Sequence, residues 1–253
     1  MNDRGCEGRQ RLPVVLLASA SPRRRQLMAQ LGLPFKTAVP PLDEEQLESG
    51  YTGPAEELGR WLAERKAEAA LTLPEAAGCL VVTADTTVIL DGVSQGKPHD
   101  ADHARAILRR LRGRWHQVIT GVALAVPSQG QEASESGAAG EEQRSAVIRS
   151  GQCVTPVLMR SYSDEEIEAY IASGDPLDKA GAYGIQNPDF QLPERIAGCY
   201  LNVVGFPLCT LSALLQASGL TLPAPPTAQA RPQPGHLCPW SERCLLQPGK
   251  SMI

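Results

Sequence analysis

The sequence predicts an α/β fold, a mixed sheet with flanking helices, on three observations. Strand-like and helix-like periodicities alternate between residues 13 and 220. The first such pair is a β-turn-α unit, in which the short apolar run Val14–Ala18 leads through Ser21-Pro22 into a helical pattern. At 253 residues and 42% hydrophobic, the chain can bury a large core, and with only 4% aromatics that core is packed from Leu, Val, Ile and Ala.

Each element follows from local chemistry. Val14–Ala18 suits a buried strand, and the helix opened by Ser21 and Pro22 runs to Leu31 and stops at Gly32. Phe35–Val39 forms a second strand, and Ala55–Leu71 a long helix with Leu58, Leu62 and Ala69 inward. Leu80–Ala84 and Thr87–Leu90 are strand-like, followed by a tight Asp91-Gly92 turn. A helix over Ala101–Leu111 precedes a strand over His116–Val126, with Val154–Met159 as its antiparallel neighbour. Ser163-x-x-Glu166 is a capping box for a helix through Ile167, Tyr170 and Ile171 that stops at Gly174. Tyr200–Val204 is expected as a last strand and Leu208–Ala217 as a last helix. Residues 1–12 read as a flexible leader, and 127–146, rich in Gly, Ser, Ala and Glu, as a flexible insertion in a domain spanning 13–220. Residues 221–253 hold seven prolines and read as a disordered tail.

Composition excludes several classes. No apolar run approaches the roughly 18 residues of a membrane span, and MNDRGCEGRQRLP lacks the apolar stretch of a signal peptide, so a cytoplasmic protein is expected. Seven cysteines at irregular positions do not make a disulfide framework, and His236, Cys238 and Cys244 match no common zinc spacing. A net charge of −4 and few aromatics oppose a nucleic-acid binder built on Arg23–Arg25, so any phosphate should be small and locally held.

Three segments carry candidate chemistry. In Ala18-Ser19-Ala20-Ser21-Pro22-Arg23-Arg24-Arg25, the free N–H groups of the helix start make an anion site, and a bound anion would relieve the conflict between Arg23 and the helix dipole; solvated arginines beside a capped helix are the alternative. The absence of Gly-x-x-x-x-Gly-Lys excludes a Walker loop. Asp85, in Thr83-Ala84-Asp85-Thr86-Thr87, ends an apolar strand and must be paired, hold a metal, or close a turn. Lys97 in Gly96-Lys97-Pro98, Lys66 on the long helix and the acidic run Asp43-Glu44-Glu45 read, from spacing alone, as solvated charges. The glycine-punctuated segment Asp178-Lys179-Ala180-Gly181-Ala182-Tyr183-Gly184-Ile185-Gln186 permits close backbone approach to a ligand and ends in an amide able to donate and accept, or is a plain loop.

In this order and spacing the blocks resemble the Maf (septum-formation-like) nucleoside triphosphate pyrophosphatase family over residues 13–217. The resemblance rests on Leu-Ala-Ser-Ala-Ser-Pro-Arg-Arg after the first strand, Ala-Asp-Thr at 84–86, Gly-Lys-Pro at 96–98, the 178–186 block and Asn-Val-Val-Gly-Phe-Pro at 202–207. Ala-Asp-Thr and Tyr-Gly-Ile-Gln are similar to the branch acting on dTTP and UTP rather than on 7-methyl-GTP.

The resemblance implies two lobes around a nucleotide-binding cleft and hydrolysis of a nucleoside triphosphate between the α and β phosphates. It implies Asp85 as proton acceptor or metal ligand, and Glu44 as the second carboxylate around Mg²⁺ or Mn²⁺. Ser19, Ser21, Arg23, Arg24, Lys66 and Lys97 would clamp the triphosphate; Arg23, Thr86 and Gln186 match positions tied to substrate choice, with Gln186 expected at the uracil or thymine edge. It permits a homodimer, and a role in nucleotide-pool cleansing or in division arrest. A pyrophosphatase for another or modified nucleotide, and a nucleotide-binding regulator with little turnover, are the competing readings. Asn187-Pro188-Asp189-Phe190 stands where family members often have glycines.

Overall fold

The computed structural model describes residues 13–127 and 146–220. The expected leader and tail, and residues 128–145 of the expected insertion, lie outside the described residues. The architecture is a seven-stranded mixed sheet with helices packed on it, as the alternating periodicities predict.

The first half is parallel. Strand β1 (Val15–Ala18) is fully buried and leads into helix α1 (Pro22–Ala29); β2 (Phe35–Ala38) returns parallel to β1. Helix α2 (Glu44–Gly50) and helix α3 (Leu58–Leu71) precede β3 (Leu80–Leu90), which pairs parallel with β1 through Leu80–Val82. The short β4 (Val93–Ser94) pairs only with the far end of β3. The second half is antiparallel: after helix α4 (Ala101–Leu111), β5 (Trp115–Pro127) pairs with β3, β6 (Ala146–Met159) with β5, and, after helix α5 (Asp164–Ala172), β7 (Pro193–Ile196) with β6. Helices α6 (Tyr200–Val204) and α7 (Leu208–Ala217) close the described chain.

Several expectations are corrected. Tyr200–Val204 is a helix, not a strand: five residues, apolar but for Asn202, show no period that separates the two, and Gly205, left-handed at φ 108°, ends the turn. The acidic run is not a loop; Asp43 caps α2 by accepting from Gln46 N at 3.0 Å, and Glu44 and Glu45 occupy the first turn, where the dipole favours them. Leu80–Leu90 is one unbroken strand, so Asp85 lies mid-strand rather than at an end. β6 starts at Ala146, eight residues before the expected Val154, and β7 was not foreseen. The Ser163–Glu166 capping box is present as expected.

Strand alternation assigns the two faces of β3. Leu80, Val82 and Ala84 join α1, α7 and the Val122–Leu124 end of β5 in one core, while Val88 and Leu90 join α4, α5 and Val118 in a second. Thr86 belongs to this face, between the two cores. On the opposite face α3 lies close: Thr83 donates to Ala63 O at 2.6 Å, and Ala63 and Ala67 pack on Ala123. Gly121 permits that approach, because a Cβ there would stand 2.4 Å from the backbone of Arg60.

Candidate active site

Between Val82, where β1 stops pairing, and Ile89, where β4 starts, no described strand covers that edge of β3. The opening stands beyond the carboxyl end of β1, the place where open α/β sheets bind ligands. At an uncovered edge, neighbouring residues of opposite faces reach the same space. Asp85 and Thr86 accordingly both line a cleft of about 390 Å³, together with the β1–α1 turn, Glu44, Lys66, Lys97 and Gly205. A second cavity of about 1020 Å³ meets it at Glu44, Asp85, Thr86 and Lys97.

One wall is an ion cluster. Lys66, 5% exposed, reaches from α3 to Asp85 Oδ1 at 2.5 Å and Glu44 Oε1 at 2.8 Å, and Lys97 stands 3.5 Å from Glu44 Oε2. Spacing alone had placed Lys66 on the surface; it is buried, and it is held there because each carboxylate supplies a compensating charge. Desolvation pushes the Glu44 carboxyl upward, but the charge and hydrogen bond of Lys66, with Lys97 and Arg24, leave it below its ordinary value. Glu48, one helical turn beyond Glu44, is half-buried, and its carboxyl is raised by burial and then by Asp85. It was not singled out from sequence; its i+4 spacing from Glu44 on a capped helix was the available signal.

The facing wall is the start of α1. Ser19 Oγ accepts from Ser21 N at 3.2 Å, and Ser21 Oγ caps the helix by accepting from Arg24 N at 3.4 Å. Arg23 lines the cleft with no hydrogen bond or ion pair to any described residue, next to the positive end of the helix. Arg24 is differently used: Nε donates to Gly205 O at 2.8 Å, Nη1 to Ala84 O at 2.7 Å and Nη2 to Thr86 Oγ1 at 3.2 Å. It thus bonds the carbonyl of Ala84 at the open edge of β3 and ties α1, β3 and the turn after α6 together. Burial lowers its pKa, while Asp85 and Glu44 oppose that shift.

Behind Thr86 runs a buried polar chain that sequence reasoning did not find. Thr86 Oγ1 is 2.9 Å from Thr120 Oγ1; Thr120 Oγ1 donates to Asn202 O at 2.9 Å, and Asn202 Oδ1 accepts from Thr120 N at 3.0 Å. Asn202 was quoted in the last sequence block, but as part of a strand its role was invisible.

Gln186 stands apart. It is exposed, hydrogen-bonded to Tyr200, and outside the lining of the cleft, whereas its neighbours Tyr183 and Ile185 are within it. The structure therefore brings Ser19, Ser21, Arg23, Arg24, Glu44, Lys66, Asp85, Thr86 and Lys97 to one cleft and leaves Gln186 beside it.

The two carboxylates suit a hard divalent cation. Lys66 engages one oxygen of Asp85, so the other is open to a ligand, and Mg²⁺ is commonly held by one or two carboxylates completed by phosphate oxygens and water. Among the described residues no three His, Cys, Asp or Glu side chains form a group that could hold a metal ion by itself. No helix among them is long and apolar enough to cross a membrane.

The chain is 42% identical over 236 residues to a dTTP/UTP pyrophosphatase of Thermomicrobium roseum, covering 93% of this chain and 95% of that one. It is 45% identical over 208 residues to a dTTP/UTP pyrophosphatase of Salinibacter ruber (81% and 90% covered), and 41% identical over 208 residues to one of Dictyoglomus turgidum (82% and 97% covered). The sequence model described as Maf-like protein matches residues 14–218, which takes in every strand and helix described above, and the chain belongs to that family.

Proposed function

We propose that the protein hydrolyses dTTP and UTP to the nucleoside monophosphate and pyrophosphate, in the cytoplasm and on free nucleotides rather than on nucleic acid. The observation that carries this is the opposition, across one cleft, of a Lys66-bridged carboxylate pair and a helix start bearing an arginine with no partner among the described residues. One side can handle a proton and the other an anion. Asp85 accepts the proton of the attacking water, while Lys66 fixes its carboxylate through the other oxygen. As water adds to the α-phosphorus, the bond to the bridging oxygen breaks and charge moves to pyrophosphate. Arg23, Ser19, Lys97 and the first N–H groups of α1 receive that charge.

Ser21 and Arg24 serve by position: Ser21 caps the helix that presents those N–H groups, and Arg24 sets Thr86 and the β3 edge. Glu44 and Asp85 would hold Mg²⁺ or Mn²⁺, which when bound supplies charge neutralisation on the phosphates. Thr86 within the cleft and Gln186 beside it would read the base.

The test is chromatographic analysis of products from a panel of nucleoside triphosphates with Mg²⁺. Monophosphate and pyrophosphate in equal amounts, fastest from UTP and dTTP, are expected. A diphosphate and inorganic phosphate, or an optimum on 7-methyl-GTP or another purine, would contradict the reading. Tight binding without turnover would instead favour a regulatory protein.

A further inference from the structure

The hydrogen-bond inventory of the buried chain fixes which way the Thr86 hydroxyl points. Asn202 Nδ2 lies 2.8 Å from Val118 O and 2.9 Å from Thr155 Oγ1; a carbonyl only accepts, so this end of the amide is the donor, and Oδ1 accepts from Thr120 N. Asn202 is fully satisfied and fully buried. Thr120, also fully buried, has one hydroxyl proton, and its contact with Asn202 O is a hydrogen bond only if that proton is spent there. In the 2.9 Å pair Thr86–Thr120 the donor must then be Thr86. Arg24 Nη2 donates to Thr86 Oγ1 and occupies one of its lone pairs. One lone pair is left, on a partly exposed residue that lines the cleft.

We infer that Thr120, held by Asn202, is a positioning residue for substrate choice: it keeps the Thr86 proton turned inward, so that Thr86 offers the cleft an acceptor and no donor. A triphosphate presents only acceptor oxygens, so this lone pair does not serve the phosphates. It suits a substrate N–H. Uracil and thymine carry one donor on the free edge of the base, the imide N3–H, whereas cytosine has a lone pair at N3. A fixed acceptor opposite N3 therefore attracts the first two and repels the third, whose donor on that edge is the neighbouring 4-amino group, the arrangement that gives large discrimination because the wrong partner leaves polar groups unpaired. Arg24 narrows the choice, since a guanidinium can only donate and the Thr86 proton cannot point at it; Thr120 then decides between the inward and the cleft direction.

The inference rests on the proposal that Thr86 meets the base, and the experiment separates the two. Thr120→Val, Thr120→Ser and Thr86→Val are assayed for kcat and KM on UTP and CTP. Without the Thr120 hydroxyl, the Thr86 proton is released to the cleft, and the CTP:UTP ratio of kcat/KM is expected to rise about tenfold or more, chiefly through KM for CTP, with Thr120→Ser restoring the wild-type ratio. If Thr86→Val changes the ratio and Thr120→Val does not, the relay is wrong and Thr86 acts unaided. If Thr86→Val leaves the ratio unchanged, the placement of the base is wrong. A uniform loss on both nucleotides in Thr120→Val would mean a structural role only, and would overturn the inference. Should Thr120→Val not fold, proton NMR of the wild-type protein decides: the Thr86 hydroxyl proton is expected to show a nuclear Overhauser contact to Thr120, and a proton directed away from Thr120 would refute the relay.

Discussion

A lysine ammonium buried between two carboxylates is stable only as a set. Lys66 satisfies Asp85 and Glu44 at once, and each carboxylate offsets the desolvation of the cation. Lys66→Met keeps much of the apolar stem but leaves two carboxylates facing each other with no cation between them. We predict near-complete loss of turnover and a destabilisation of roughly 1–3 kcal/mol in urea titration, moderated by the half-open position of Glu44. Normal turnover would remove Lys66 from the site. At this scale the sequence was legible in blocks: the order of motifs pointed to Ser19, Arg23, Asp85 and Lys97. What it concealed was partnership. Arg24 and Arg23 are adjacent and alike in type, yet one bonds Gly205, Ala84 and Thr86 and the other bonds nothing described, a difference set by which face of α1 each occupies.

Elements place these residues by close backbone approach. Helix α3 carries Lys66 to Asp85 because its first turn lies on Gly121 of β5, where a Cβ would meet the Arg60 backbone at 2.4 Å. Gly121→Ala must lift α3 or bend β5, which moves Lys66 away from Asp85. The expected outcome is a loss of about 1–3 kcal/mol of stability, typical of overpacking, and a fall in kcat larger than the change in KM. A stable, fully active Gly121→Ala protein would show that α3 can shift without consequence for the carboxylate pair.

The long α3 could be read from its apolar pattern, and α4 and α5 from pattern and cap together. Two short elements could not. α6 is one apolar turn whose identity depends on Asn202 bonding to β5 and β6, contacts more than forty residues away in sequence. β7 holds Pro193, Glu194 and Arg195, which carry no strand pattern of their own and are ordered by pairing with β6.

Over the whole molecule, one sheet carries two apolar cores on the same face, with Thr86 and Thr120 between them and Asp85 on the opposite face beside α3. The cleft lies where neither core fills the space, which is why a chain with few aromatics still forms a site. Two further polar groups are held inside the second core: His116 bonds the Tyr183 hydroxyl through Nε2 at 2.7 Å, and burial lowers its pKa to about 4. The folded protein thus refuses a proton that the unfolded chain accepts near pH 6.5. Stability from this residue is fully present above about pH 6.5 and is lost as pH falls toward 4, by up to about 3 kcal/mol. Thermal unfolding between pH 7 and pH 4 is expected to show this fall, with a shallower slope in His116→Gln. Equal slopes would mean that another group governs the acid limb. Tyr183 also lines the cleft, so acid should reduce substrate affinity along with stability.

The proposed role of Asp85, fixed by Lys66 and facing the helix start across the cleft, is to activate water against a pyrimidine nucleoside triphosphate. Release of pyrophosphate from UTP and dTTP by wild-type and Asp85→Asn protein tests it most directly. Turnover by the wild type with Mg²⁺, a loss of at least about a hundredfold in kcat for Asp85→Asn, and an unchanged fold by circular dichroism are expected. Turnover within a few-fold of wild type in a folded Asp85→Asn protein would contradict it.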